Sequence, residues 1–458
     1  MRWKIISGLP SVRRPQWLVV VPFVVAILVG AALLSLPFAR TGGLGGRWTV
    51  PLFLSASATC ITGLTPVDIA TYLTPFGQLV LLALVQLGGL GIMTLGTFML
   101  EMMGGRLGIR SEQALMNTLG VMSVGRVRGI LANTVVFTLF WELAGAVLLG
   151  WRFHSHYGYG AAKAAYHGIF HSVSAFCNAG FSLYPGNVTR FAGDPVILLT
   201  LATLIVIGGL GFIVLANIAQ LRFWRRNHLE RGRLNLHTKI VLWGTATLLV
   251  AGTLGVYVLE RHQTLAQLGF GNRWLGAFFH SVSCRTAGFS GVDIAAMRGV
   301  TKAFSMALMF IGGAPGSTAG GIKVTTAVVL AATVLALMRN RENSEFGKRA
   351  IPVRAVRESI VITVLSLTLT GVMAFILHLT ENVTGTSLST ELCFETVAAF
   401  TTVGFSENVT PALSHAGLLC MAVCMFVGRL GPLTIALTMR HSNIKAFRSY
   451  PEEPVVVG

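Results

Sequence analysis

Eight apolar stretches, at residues 17–36, 75–100, 130–149, 195–221, 240–259, 303–337, 359–379 and 415–439, constrain this chain more than anything else in it. A bilayer core about 30 Å thick takes roughly 20 apolar residues of helix, and each stretch meets that length. Only 11% of residues are charged, against about 25% in an ordinary soluble domain. No soluble surface could carry the remaining apolar side chains without associating. A soluble enzyme, a nucleic-acid binder and a disordered protein are therefore excluded. The six cysteines sit in or beside apolar segments, which is not the pattern of a secreted disulfide framework.

The net charge of +18 has a simpler origin than a polyanionic partner. Of the 35 Lys and Arg residues, 23 fall in the two tails and in the loops after the second, fourth and sixth stretches. Only 8 of the 17 acidic residues share that side. The positive-inside rule then places these loops and both termini in the cytoplasm of a cell-membrane protein. No nucleic acid is implied; the surrounding partner is the lipid bilayer.

Each of the other four loops contains one version of a short motif. These are FLSASATCITGL at 53–64, FHSVSAFCNAGF at 170–181, FHSVSCRTAGF at 279–289 and FETVAAFTTVGF at 394–405. They align on Gly63, Gly180, Gly288 and Gly404 at intervals of 117, 108 and 116 residues. A second landmark (GGLG, GGLG, GGAPG, GRLG) begins 25, 28, 24 and 24 residues later. Two landmarks keeping step four times mark internal repetition. The expected architecture is an all-α integral membrane protein of four span, re-entrant half-helix, span repeats around a central pore. The repeats occupy residues 1–106, 107–221, 222–339 and 340–458.

A segment of about ten helical residues crosses only half a membrane. Irregular backbone at that depth must lie inside protein or line a water-filled cavity. Half-helices entering from outside aim their carboxyl ends, each with about half a negative charge, at the centre. That arrangement favours a cation. The candidate filter residues are Thr59, Cys60, Ile61, Thr62 and Gly63; Cys177, Asn178, Ala179 and Gly180; Arg285, Thr286, Ala287 and Gly288; and Thr401, Thr402, Val403 and Gly404. None of these runs places a carboxylate beside its glycine, so calcium or magnesium is disfavoured. Backbone carbonyls instead replace the hydration shell of a weakly hydrated monovalent ion such as potassium. Repeat three is one residue short, which leaves Arg285 level with either Phe176 and Phe400 or Cys177 and Thr401. The competing reading, that the glycines only allow close helix contact, does not explain four of them in register.

The sixth stretch is interrupted by Gly312, Gly313, Ala314, Pro315, Gly316, Ser317, Thr318, Ala319, Gly320 and Gly321, with Lys323 just beyond. Five glycines and a proline cannot hold a continuous helix. An unwound loop across the pore, serving as a gate, is the expectation. Arg429 takes the place that Gly89, Gly209 and Gly313 hold in the other landmarks. A charge at that depth is costly and marks function. Arg429 is expected to hydrogen-bond loop carbonyls and to repel a waiting cation, the bland alternative being an ion pair with Glu142 or Glu395. His171 and His280 read as buried hydrogen-bonding groups. Asn187-Val188-Thr189, Asn382-Val383-Thr384 and Asn408-Val409-Thr410 match a glycosylation pattern that arises often by chance.

With the four glycine segments, SVSCRTAGF at 281–289, GSTAGGIK at 316–323 and GRLGPLT at 428–434, the whole chain resembles the Trk/Ktr/HKT superfamily of potassium transporters. Its first span opens by residue 17, nearer the shorter KtrB type than the longer TrkH type. The resemblance implies potassium uptake by a homodimer with one pore per protomer. It also implies a cytoplasmic nucleotide-binding regulatory ring of the KtrA type. Glycine at position 63 implies selectivity for potassium, with sodium left as a candidate coupling or activating ion. The rival reading is a secondary transporter or permease subunit for a small polar solute. That class calls for two repeats and polar midplane side chains, and the chain shows neither.

Overall fold

The computed structural model describes residues 17–41, 47–102, 127–219, 234–341, 343–347, 349–381 and 389–431. The expected boundaries at 106/107 and 221/222, most of the basic loop residues, both tails and the last eight residues of the eighth stretch lie outside these residues.

Four triads of helix follow one another. The first is α1 (Trp17–Ser35), α2 (Thr49–Cys60) and α3 (Pro75–Met102). The second is α4 (Val127–Ser155), α5 (Ala161–Phe176) and the bent pair α6 (Pro195–Leu210) and α7 (Phe212–Ala219). The third is α8 (Leu236–Glu260), α9 (Phe270–Ser283) and the interrupted pair α10 (Gly299–Phe310) and α11 (Val324–Met338). The fourth is α12 (Val353–Glu381), α13 (Ser389–Phe400) and α14 (His415–Leu430). The only described strands form a two-residue antiparallel hairpin, Glu345–Phe346 with Arg349–Ala350, after the sixth stretch.

The half-helices α2, α5, α9 and α13 have 12, 16, 14 and 12 residues. They are somewhat longer than the ten expected, because α5 and α9 begin several residues before their apolar motifs. The phenylalanine that opens each motif is sealed in the interior: Phe53, Phe170, Phe279 and Phe394 are each at most 1% exposed. Close approach is bought by small residues. A Cβ added to Gly168 of α5 would sit 2.6 Å from the Ala146 carbonyl oxygen of α4.

The outer faces are apolar and open. On α4, Val136, Leu139, Phe140, Leu143, Val147 and Trp151 are exposed at helical spacing, while Thr138, Glu142, Leu149 and Phe153 are buried on the opposite face. Trp243, Val250, Leu254 and Val258 repeat the pattern on α8, and Ile360, Val361, Val364 and Leu367 on α12. A continuous stripe of this kind is stable against lipid and not against water. Three described helices, Thr134–Ser155, Leu236–Glu260 and Val353–Glu381, are individually long and apolar enough to cross a bilayer.

The fourth stretch departs from the uninterrupted span expected of it. Its two helices meet at 93°, and the turning residue is Gly211, with φ +78°. Gly431 ends α14 with nearly the same backbone, φ 81° and ψ 138° against 78° and 143°. The last glycine of the second landmark is thus a break point in repeats two and four. In repeat one the helix runs on through Gly91.

Candidate functional site

The four motif segments meet in a ring. Each ring glycine has positive φ: +91° at Gly63, +69° at Gly180, +70° at Gly288 and +89° at Gly404. Two residues earlier, Ile61, Asn178, Thr286 and Thr402 also have positive φ, between 53° and 68°. Non-glycine residues adopt that conformation rarely, and its recurrence four times reflects a constraint from the surrounding fold. The ring closes by contact. A Cβ on Gly63 would lie 2.4 Å from the Ala179 carbonyl oxygen, one on Gly180 2.6 Å from that of Ala287, one on Gly288 2.1 Å from that of Val403, and one on Gly404 1.9 Å from that of Thr62. Each glycine therefore touches the next repeat, and the fourth returns to the first. Only glycine fits all four places.

The half-helices end at Cys60, Phe176, Ser283 and Phe400, immediately before the ring, so their negative dipole ends converge on it. The next span packs on those ends. A Cβ on Gly88, Gly208 or Gly428 would come within 2.2, 2.0 or 1.8 Å of the carbonyl oxygen of Thr59, Phe176 or Phe400. Both glycine landmarks thus have one cause, close approach of backbone to backbone. Around the ring, the buried hydroxyls of Thr59, Thr62, Thr286 and Thr402 have no protein partner among the described residues.

The positive φ at Thr286 fixes the register of repeat three. Arg285 stands level with Cys60, Cys177 and Thr401, and the missing residue comes from the last turn of α9. Its side chain turns away from the ring toward the interrupted span, where Nη2 donates to the Gly312 carbonyl oxygen at 3.4 Å.

Residues 311–323 form the expected break between α10 and α11. The Gly312 amide donates to Ile322 O (2.8 Å), Ile322 N to Phe310 O and Val324 N to Gly313 O, which closes the loop on itself. Lys323 is turned inward and its Nζ donates to Ala319 O at 2.7 Å. The loop also docks on repeat two. Ala314 N donates to Gly209 O at 3.0 Å, and Phe212 N to Gly316 O at 3.4 Å. The 93° bend at Gly211 exists in this seat: it frees the Phe212 amide to meet the loop. On the other side, a Cβ on Gly320 would strike Thr402 Oγ1 at 2.0 Å and Thr401 O at 2.9 Å. The loop therefore lies directly against ring residues of repeat four.

Arg429, 5% exposed, spans three repeats. From repeat four its Nη1 donates to Thr318 O of the loop, and its Nη2 donates to Gly88 O of repeat one at 2.8 Å. Neither expected carboxylate partners it. Glu142 accepts from Gln86 at 3.3 Å and from the Cys177 thiol at 3.8 Å. Glu395 is saturated elsewhere, taking hydrogen bonds from Ser406, Thr410 and the amides of Glu407 and Val409.

His171 and His280 make the buried hydrogen bonds expected of them, whereas the bracing role of Glu395 escapes the sequence reading. Glu395 in repeat four and His171 in repeat two hold aligned motif positions, and each bonds the serine two residues past its glycine: Glu395 to Ser406 at 2.5 Å, His171 to Ser182 at 3.1 Å. Both brace the chain leaving the ring. His280, offset by the missing residue, bonds Ser305 at 3.0 Å instead. Gln86 is a further unexpected polar group, between Glu142 and Cys177. Its polarity amid an apolar span was the available signal.

A family model described as "Cation transport protein" and called TrkH matches residues 35–447. The "Ktr system potassium uptake protein B" of Bacillus subtilis is 35% identical over 446 residues, covering 97% of each chain. Its namesake in Vibrio alginolyticus is 36% identical, covering 96% of this chain and 94% of its own. The "Potassium/sodium uptake protein NtpJ" of Enterococcus hirae is 32% identical, covering 97% of each. Among solved structures, the crystal structure of the potassium transporter TrkH from Vibrio parahaemolyticus superposes with a TM-score of 0.69 at 20% identity. It covers 92% of this chain and 84% of that one, a likeness of fold.

Proposed function

The chain belongs to the TrkH family of cation transport proteins, multi-pass membrane transporters and not enzymes, and on that footing we propose that it takes up potassium through the ring of Gly63, Gly180, Gly288 and Gly404. The observation that carries this reading is the closure of the ring: four backbone segments touch in cyclic order, with half-helix carboxyl ends behind them. Carbonyl oxygens in such a ring substitute for the water around a large monovalent cation. The unpartnered threonine hydroxyls at the same level offer further oxygen. Candidate filter residues run from Thr59 to Gly63 and through the three matching segments; Arg285 serves the loop and not the ion.

Beneath the ring, residues 312–321 act as the gate. The loop is tied to repeat two by backbone hydrogen bonds and to repeats one and four through Arg429. Opening requires Arg429 to release Thr318 O. A cytoplasmic subunit binding a nucleotide, the KtrA type, supplies the control, and two copies of this chain form the membrane part. The relatives' names, which speak of a Ktr system, support such an assembly. The termini and the basic loops face the cytoplasm. Sodium acts as a coupling or activating ion, as the name of the Enterococcus hirae relative encourages.

The test is complementation of a bacterium stripped of its own potassium uptake. The wild-type chain, with a KtrA-type partner, restores growth at low potassium. Gly404→Ser, whose Cβ has no room beside Thr62 O, restores less growth at low potassium and makes uptake sensitive to sodium at equal protein level. Full growth with undiminished discrimination by Gly404→Ser would overturn the filter assignment.

A further inference from the structure

Past its ring glycine, repeat two makes a turn, Leu183-Tyr184-Pro185-Gly186, that returns the chain toward the ring. The turn delivers Asn187, half-buried and held at φ +65°. Its side-chain Nδ2 donates to Gly180 O at 3.1 Å and lies 3.4 Å from Gly288 O. These oxygens belong to two adjacent ring glycines from different repeats. The amide orientation follows from this geometry, because the opposite one would set an oxygen against two oxygens.

The same tripeptide recurs in repeat four with another outcome. Asn408-Val409-Thr410 begins four residues after Gly404, where Asn187-Val188-Thr189 begins seven after Gly180. Asn408 has the same backbone, φ +66°, but without the extra residues it is exposed. Repeats one and three carry Val-Asp near this place. Asp68 and Asp293 spend a carboxylate oxygen on local amides, Ala70 N at 3.2 Å and Ala295 N at 3.0 Å. Among the described residues, no side chain donates to Gly63 O or Gly404 O.

We propose that Asn187 is a positioning residue for ion selection: it pins the carbonyls of Gly180 and Gly288 and makes the outer end of the ring unequal, with two tethered oxygens and two free ones. The proposal rests on the filter reading above. A tethered carbonyl keeps one lone pair for the cation, and its position is fixed by a donor that does not leave when the ion does. Two oxygens so held cannot close in on a smaller ion. Asn187 thereby disfavours sodium, which a ring of untethered carbonyls would grip by contracting. The tripeptide is a structural element of the even-numbered repeats, and its resemblance to a glycosylation acceptor in repeat two is incidental to this role.

The experiment compares Asn187→Gly, Asn187→Asp, Asn408→Gly and Gly288→Ser as full-length chains with the regulatory partner. Each is assayed for potassium uptake against sodium competition at immunoblot-matched levels. Asn187→Gly preserves the positive-φ backbone and deletes only the amide. The expected loss of potassium preference is about three- to tenfold, the range that follows from losing one net hydrogen bond. Asn187→Asp places an acceptor against the two carbonyls and loses at least as much, and it serves as the second reading if the glycine variant is poorly made. Asn408→Gly makes the same change of backbone freedom off the ring and keeps the wild-type ratio. A wild-type ratio in both Asn187 variants, while Gly288→Ser loses discrimination, overturns the proposal and leaves the filter standing. An equal loss in Asn408→Gly also overturns it, by assigning the effect to turn stiffness. A wild-type ratio in Gly288→Ser as well overturns the filter reading itself.

Discussion

Replacing Arg429 tests the gate at the point where the structure concentrates its hold. Its guanidinium is the described side-chain link that joins the interrupted loop, at Thr318 O, to repeat one, at Gly88 O. A hydrogen bond from a charged donor contributes about 1.5–3 kcal/mol. Every 1.36 kcal/mol is tenfold in an equilibrium or rate, so losing the bond to Thr318 shifts the closed-to-open balance about 10- to 150-fold. The backbone hydrogen bonds of Ala314 N to Gly209 O and of Phe212 N to Gly316 O remain, so closure weakens without vanishing. Arg429→Ala in proteoliposomes, without any regulatory subunit, is therefore expected to raise basal potassium flux by one to two orders of magnitude. Arg429→Lys separates tethering from charge. A lysine keeps the positive charge but lacks the planar fork that reaches two carbonyls at once, so its flux falls between wild type and alanine. If charge alone blocked the ion, lysine would match arginine. Flux in Arg429→Ala within twofold of wild type, at equal protein per vesicle, would refute the reasoning.

Two further outcomes follow from groups outside the gate. Asp194, just before α6, is buried, which by itself would raise its carboxyl; hydrogen bonds from Arg152 at 2.8 Å, Tyr157 at 3.1 Å and the Ile197 amide outweigh that and hold it below its ordinary value. A carboxyl lowered in the folded state stabilises fully above its unfolded pKa, near 3.9, and the contribution fades as pH falls through the folded value. Thermal unfolding in detergent should accordingly show a loss of stability on acidification below about pH 4, and Asp194→Asn should flatten that limb; an unchanged limb contradicts the assignment. Glu395→Gln puts a donor where Thr410 or Ser406 already donates, at a cost of about 1–3 kcal/mol. A lowered unfolding temperature with reduced potassium preference is expected, and an unchanged temperature would show that the brace is dispensable.

Much of this architecture could be read from the chain because backbone contact leaves a mark on composition. Where two main chains must touch, only glycine serves, and the landmarks at Gly63 and Gly88 and their counterparts record such touches one repeat after another. The interruption of the sixth stretch was legible for a related reason, since its glycines and Pro315 exclude a helix. The bend at Gly211 was not. Its neighbours are uniformly apolar, glycine is tolerated in spans, and the contact that accompanies the turn, Phe212 N on Gly316 O, is made with a loop distant in sequence. Nor do Ile61 and Thr402 advertise positive φ, because β-branched residues normally avoid it; the ring imposes it on them. The sequence leaves Arg285 between two registers, because a one-residue deletion can be absorbed on either side of a helix end. Asn187 read as a chance glycosylation match, since its meaning lies in the three extra residues that carry it back to Gly180, a feature of path and not of residue type.

The most direct measurement is a crystal structure of the protein soaked in rubidium or thallium, with the ions located by anomalous scattering. The account predicts peaks on the axis enclosed by Gly63, Gly180, Gly288 and Gly404, with carbonyl oxygens around them. An empty axis, with the heavy ions bound among the outer carboxylates or elsewhere, would contradict it.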